Sequence, residues 1–346
     1  MFNLGSWPLP IVFVIFGVAA GVIFIVGKRL TNDADELADE TGLGEAIMGA
    51  VFLGAATSLP GIITSVTAAS GGYAELAISN AVGGIAAQTF FLAIADMFYR
   101  KANLEHSAAS MENMLQSTLL IALLVLPLLA AMLPEFTLFS IHPITLAMPL
   151  LYLYGLRMTR QLRDNPTWEP QRTSDTRIEA EEEEERSDAS PRRLWIQLLI
   201  SAAIVGFAGW VVGRTGIAIS ERTGLSQSVV GALLTAVATS LPELVTSVAA
   251  VRRGALMLAV GGIIGGNAFD TLFVAASDVA YRSGSIYHAI NERQIFLIGL
   301  SVLLTGFLLM GMIRRERHGL GNIGFESSLI TVSYIGAFCL LAFFMN

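Results

Sequence analysis

The chain has 346 residues, of which 54% are hydrophobic and only 14% charged. That balance excludes a soluble globular domain, where about a quarter of the residues carry charge. The net charge of −7 comes mostly from one acidic stretch, so it points to no nucleic-acid partner, and the single cysteine, Cys339, excludes a disulfide framework and a thiolate metal site.

Ten apolar tracts are near or above the length that spans a bilayer. Leu9–Val26 has no basic residue before it and Lys28-Arg29 after it. That is the reverse of a cleavable signal peptide, so a retained helix is expected. Glu45–Ser70, Tyr73–Tyr99, Leu115–Leu133 and Phe136–Leu156 complete a first half, residues 1–156. Residues 157–193 are polar, with Glu181 to Glu185 in a row. They cannot bury enough apolar surface to fold alone and read as a solvated linker. Five consecutive glutamates lack the spaced ligands and turn glycine of a calcium loop. The second half, 194–346, holds Leu194–Val212, Gln227–Val251, Ala255–Tyr281, Ile295–Ile313 and Ser328–Phe344.

Threading ten helices with the N terminus outside puts 17 of the 21 basic residues on the inner side and 4 on the outer side. The positive-inside rule favours this orientation, with the long loop cytoplasmic. The expected fold is therefore an all-α, multi-pass protein of the cell membrane.

Sixty residues occur twice. Residues 41–100 align without a gap on 223–282 at an offset of 182, with 26 identities. Five helices separate equivalent positions, so the two five-helix repeats must have inverted topology, with a site where they meet. Each copy carries Thr-Ser-Leu-Pro, at Thr57 to Pro60 and Thr239 to Pro242. A proline inside a membrane helix frees the carbonyl four residues earlier, here Ala56 and Ala238, and bends the helix. Hydroxyls, freed carbonyls and the carboxylate of Glu243 are hard oxygen donors, suited to Na⁺ or Ca²⁺. Glu243 and Asp270 lie near the middle of their tracts with no lysine or arginine at comparable depth, which marks them as functional candidates. Their first-copy counterparts are Gly61 and Gln88, so the site is acidic on one side only. Asp96 and Asp278, each followed four residues later by arginine, read as interfacial ion pairs with Arg100 and Arg282. The histidines show no ligand spacing, and no nucleophile–base arrangement suggests an enzyme.

Ala238-Thr239-Ser240-Leu241-Pro242-Glu243, followed by Gly265-Gly266-Asn267-Ala268-Phe269-Asp270, resembles the cation/Ca²⁺ exchanger superfamily, whose best-known members are sodium/calcium exchangers. The two repeats carry the resemblance, and the ten-helix layout extends it to nearly all of the chain. It implies alternating access, with a cation gradient driving Ca²⁺ outward. Carried over by position, it implies ion ligands at Thr57, Ser58 and Gln88, and at Thr239, Ser240, Glu243 and Asp270. Backbone carbonyls would come from Gly54 and Ala236. Where relatives commonly carry an acid, this chain has Gly61. Two carboxylates balance one divalent cation or two protons, and are poorly matched to three sodium ions bound together. The expected function is antiport of Ca²⁺ against Na⁺ or H⁺, by a chain sufficient as a monomer and needing no bound cofactor. The alternatives are antiport of Na⁺, K⁺ or Mg²⁺ against H⁺, and a non-transporting membrane sensor.

Overall fold

A computed structural model describes residues 7–41, 54–98, 103–164, 191–316 and 324–343. The described residues are almost wholly helical, with one isolated bridge between Leu138 and Ile141. In chain order the helices are α1 (Leu9–Thr41), α2 (Leu59–Ser70), α3 (Ala74–Phe98), α4 (Leu104–Ser107), α5 (Met111–Met132) and α6 (Pro143–Asp164). They continue as α7 (Pro191–Thr223), α8 (Gln227–Thr239, with a π-helical turn at Val230–Thr235), α9 (Leu241–Arg253), α10 (Leu256–Ala280), α11 (Glu292–Arg314) and α12 (Phe325–Phe343).

Seven of these helices are long and apolar enough to cross a membrane, and the bent pair α8–α9 passes the same test when its two helices are taken together. Ten tracts were expected. Of the other two, 45–70 begins outside the described residues and continues as a helical turn at 54–57 and α2. The tract 136–156 forms α6, which runs on to Asp164. The expected linker boundary at 157 therefore falls inside a helix, because the Arg157 and Arg163 turns continue it. Glu181 to Glu185, Arg100 and residues 42–53 of the first repeat lie outside the described residues.

Helix boundaries extend the repeat beyond the sixty aligned residues. α1 and α7, α2 and α9, and α3 and α10 begin at positions 182 apart. The equivalent helices α1 and α7 pack along their length. Leu30, Ala34 and Leu37 cluster with Leu194 and Leu198, whereas Ala19 and Ile23 cluster with Ala208 and Val212. Later residues of one meet earlier residues of the other, so the two helices run antiparallel. The main apolar core lies around α3 and α10, and almost every α3 side chain is buried. Both are helices with apolar residues on all sides, as expected for spans enclosed by protein.

Candidate cation site

One break in each half shapes the site. At Ser58 (φ −86°, ψ 0°) and Ser240 (φ −97°, ψ 8°) the backbone leaves the helical region. Pro60 and Pro242 then sit in the first turn of the next helix, where the missing N–H costs nothing. The second break bends the chain by 50°. Both breaks pack against α3 and α10.

Asp270 of α10 is 2% exposed. Ser58 Oγ donates to its Oδ1 at 2.5 Å, and Gln88 Nε2 donates to its Oδ2 at 2.7 Å. Gln88 Nε2 also reaches Ser240 Oγ at 3.3 Å. Each contact joins one repeat to the other. Glu243 is buried in the first turn of α9, and its Oε2 has no protein partner; neither has Gln88 Oε1. A buried oxygen without a donor is costly unless something else supplies positive charge or a hydrogen.

These side chains ring a cavity of about 10 Å³, lined by Ser58, Gly61, Asn80, Gly84, Gln88, Thr239, Ser240, Glu243, Asp270 and Phe273. That is about the room one water or one bare cation needs. No lysine or arginine lines it. Among the described residues no group of three or more histidines, cysteines and acids is placed to hold a metal ion. An ion here would draw on two carboxylates and neutral oxygens.

Of the residues singled out in the sequence, Ser58, Gln88, Thr239, Ser240, Glu243 and Asp270 come together at this cavity. Thr57, Gly54 and Ala236 are not among its lining residues. The Gly54 carbonyl accepts from Ser58 N (3.0 Å) and Thr57 Oγ1 (3.1 Å). The Ala236 carbonyl accepts from Ser240 N (3.0 Å) and Thr239 Oγ1 (3.2 Å). In this conformation both carbonyls are thus fully occupied.

Two contributors escape the motif reading. Asn80 donates to Gly61 O (3.2 Å) and Ser65 Oγ (2.9 Å) and accepts from Thr235 Oγ1 (2.7 Å), tying the two breaks together. Its spacing from Gly84 and Gln88 places all three on one face of α3, a signal present in the sequence. Phe273 carries no such signal. Its ring fills the space beside Gly61: a Cβ at position 61 would lie 2.6 Å from Phe273 Cε2. The acidic residue missing from the first repeat is replaced by an aromatic ring from the second.

The ion-pair reading of Asp278 is corrected, whereas that of Asp96 involves Arg100, which lies outside the described residues. Asp278 is fully buried and accepts from His142 N (2.9 Å), Thr145 Oγ1 (2.6 Å) and Ile286 N (2.9 Å). Arg282 instead donates to the Val279 carbonyl. Asp96, also fully buried, accepts from Leu104 N (2.8 Å) and Gly324 N (3.3 Å). Each carboxylate caps backbone eight residues on, at positions equivalent by repeat. At Asp278, unpaired N–H groups after a buried helix end outcompete the Arg282 guanidinium.

Two helix seams flank the site. On one, α7 crosses α2: a Cβ at Gly209 would lie 2.7 Å from Pro60 O, and Thr64 Oγ1 donates to Gly209 O at 2.8 Å. On the other, α1 crosses α9: a Cβ at Gly27 would lie 2.7 Å from Pro242 Cγ. Gly27 and Gly209 are repeat equivalents, as are Pro60 and Pro242, so each half lays its first helix on the other half's proline. The seams differ beyond that point. Thr246, the counterpart of Thr64, donates within its own helix to Glu243 O at 3.1 Å. A cavity of about 610 Å³ lies beside that crossing, lined by α9 together with Lys28 of α1 and Ile94 of α3.

A family model for sodium/calcium exchanger proteins matches residues 11–162 and 193–345. The chain belongs to the sodium/calcium exchanger protein family. Its family is one of membrane transporters, so it is a multi-pass membrane protein. CaxA of Alkalimonas amylolytica is 24% identical over 324 residues, covering 92% of this chain and 95% of that one. The sodium/calcium exchanger MaX1 of Methanosarcina acetivorans is 31% identical over 143 residues, 40% of this chain and 39% of that one. Among solved structures, the H⁺/Ca²⁺ exchanger CAX superposes with a TM-score of 0.67 at 13% identity, over 94% of this chain and 81% of that one. The sodium-calcium exchanger NCX_Mj, soaked with Na⁺ and Sr²⁺, gives 0.59 at 18% identity, over 96% and 99%. At these identities the superpositions speak for the fold alone.

Proposed function

We propose that the protein is a secondary cation antiporter working by alternating access, and that its cargo is Ca²⁺ exchanged for Na⁺ or H⁺. The observation that carries the reading is the ion-sized cavity between Glu243 and Asp270, closed by side chains of both repeats and free of lysine and arginine. Names of relatives point the same way, since CAX is an H⁺/Ca²⁺ exchanger and MaX1 a sodium/calcium exchanger.

Two carboxylates neutralise one Ca²⁺ or two protons but not both at once, so exchange follows from competition for one site. Ser58 and Gln88 now hold Asp270 by hydrogen bonds. An arriving cation would take over those oxygens. The Ser58 and Ser240 hydroxyls and Gln88 Oε1 would turn lone pairs toward it. Thr57, Thr239 and the Gly54 and Ala236 carbonyls would join in a conformation where their present mutual hydrogen bonds are released.

In this reading the ten helices form two inverted five-helix repeats with the N terminus outside, and one chain makes a complete site. The bonded α2/α7 seam is the closed outer side, and the α1/α9 seam is the open inner side. Rocking α1 and α7 on their glycine contacts would exchange the two. Movement of ⁴⁵Ca²⁺ into proteoliposomes under imposed Na⁺ or pH gradients tests this. Absence of gradient-driven flux of any alkali or alkaline-earth ion would overturn it.

A second reading keeps the exchanger and changes the ion to Na⁺, K⁺ or Mg²⁺ moved against H⁺. Phe273 favours it by standing where a third carboxylate would otherwise strengthen Ca²⁺ binding. Gly61→Glu combined with Phe273→Ala separates the two readings. Strong Ca²⁺ flux appearing only in the double variant assigns the native protein to another ion.

A further inference from the structure

The groove between α1 and α9 is walled by apolar side chains, Ile94, Leu244 and Val248 among them, and rimmed by Lys28, Arg252 and Arg253. All three basic residues are exposed. No acidic side chain is among its described lining residues. Its volume of about 610 Å³ lies within the range of ligand pockets, roughly 300–1,000 Å³. The equivalent seam on the other half is filled by packing: Thr64 bonds to Gly209 O, and a Cβ at Gly213 would lie 3.1 Å from Thr67 Cβ. The groove is therefore particular to one seam, and the repeat does not require it.

These features do not suit the ion's own path through that seam. A cation approaching Glu243 through this mouth would meet three positive charges and then a hydrocarbon wall. They suit an amphiphile with a negative head. We propose that the groove binds an anionic phospholipid, its phosphate held by Lys28, Arg252 and Arg253 and one acyl chain laid along Leu244 and Val248. Lysine and arginine at a membrane surface select anionic lipid, and each methylene buried adds to the hold. The lipid would wedge α1 from α9 and so favour the conformation described here. The proposal rests on the membrane setting and not on which ion is carried.

The test is lipid binding by native mass spectrometry on the full chain, delipidated in detergent and titrated with phosphatidylglycerol or phosphatidylcholine. Wild type is expected to retain phosphatidylglycerol preferentially. Each basic residue removed should weaken that preference about fivefold. Lys28→Gln, Arg252→Gln and Arg253→Gln together should abolish it, and Arg252→Lys with Arg253→Lys should keep it. Val248→Trp, which keeps all three charges but fills the groove, should also lose the bound lipid. Retained preference in the triple variant overturns the proposal. So does undiminished binding in Val248→Trp, which would place the lipid on the charged rim alone. Neither measurement depends on transport, so an absent ⁴⁵Ca²⁺ flux leaves the result readable.

Discussion

Thr64→Val removes one buried hydrogen bond, the 2.8 Å contact from Oγ1 to Gly209 O that pins α7 to α2. Thr64 is fully buried, so no water replaces that bond. A neutral hydrogen bond of this kind contributes about 1 kcal/mol, worth about fivefold in an equilibrium. If the α2/α7 seam is the closed gate, the population with that gate open should rise by about this factor. The assay is the maleimide reaction rate of Thr67→Cys, a seam position, in a Cys339→Ala background that removes the one native thiol. The rate should rise about fivefold in Thr64→Val. Thr246→Val should do the opposite. Its hydroxyl bonds only within its own helix here, so no contact across the seam is lost. The alternative conformation that the repeat implies would lose a bond from Thr246 to Gly27 O equivalent to the one from Thr64 to Gly209 O. Equal shifts in the same direction, or none in Thr64→Val, would refute the reciprocal-seam reasoning.

Further outcomes follow from particular contacts. Glu243→Gln and Asp270→Asn should each reduce gradient-driven flux at least tenfold while leaving the thermal unfolding temperature in detergent near wild type, because both replacements keep shape and hydrogen bonding. Asp278→Ala strands three buried donors and should cost about 3 kcal/mol or more, whereas Arg282→Ala should stay within about 0.5 kcal/mol. Thermal unfolding of the two variants compares capping with ion pairing directly. Burial, then the neighbouring Asp96 and Glu326 carboxylates, holds the Glu105 carboxyl well above the usual carboxylate range. The native state keeps a proton that the unfolded chain has released, so stability should fall as pH rises from the ordinary glutamate value through the raised native one. Glu105→Gln should flatten that slope in unfolding curves taken from about pH 5 to 9.

Much of this was legible in the sequence because the repeat doubles every signal. Two Thr-Ser-Leu-Pro motifs in register identify two broken helices, and two unmatched acids without basic neighbours identify the polar centre. Six of the singled-out residues line one cavity. What stayed hidden depends on contacts between distant segments. Asp278 and Arg282 have the spacing of a helix-surface pair, but spacing cannot reveal that His142 and Ile286 bring unpaired N–H groups to the same carboxylate. Gly61 reads as a missing ligand. Only packing reveals Phe273 in its place. The seams were likewise unreadable, because Gly27 and Gly209 look like ordinary membrane-helix glycines until each is found against the proline of the opposite half.

The most direct measurement is an anomalous-scattering map from crystals soaked in Sr²⁺ or Ca²⁺. A peak is expected between Glu243 and Asp270, at about 2.3–2.6 Å from their oxygens. That peak should be absent from Asp270→Asn crystals soaked alike. A peak elsewhere, or a cavity that stays without one at saturating cation, would contradict the proposed site.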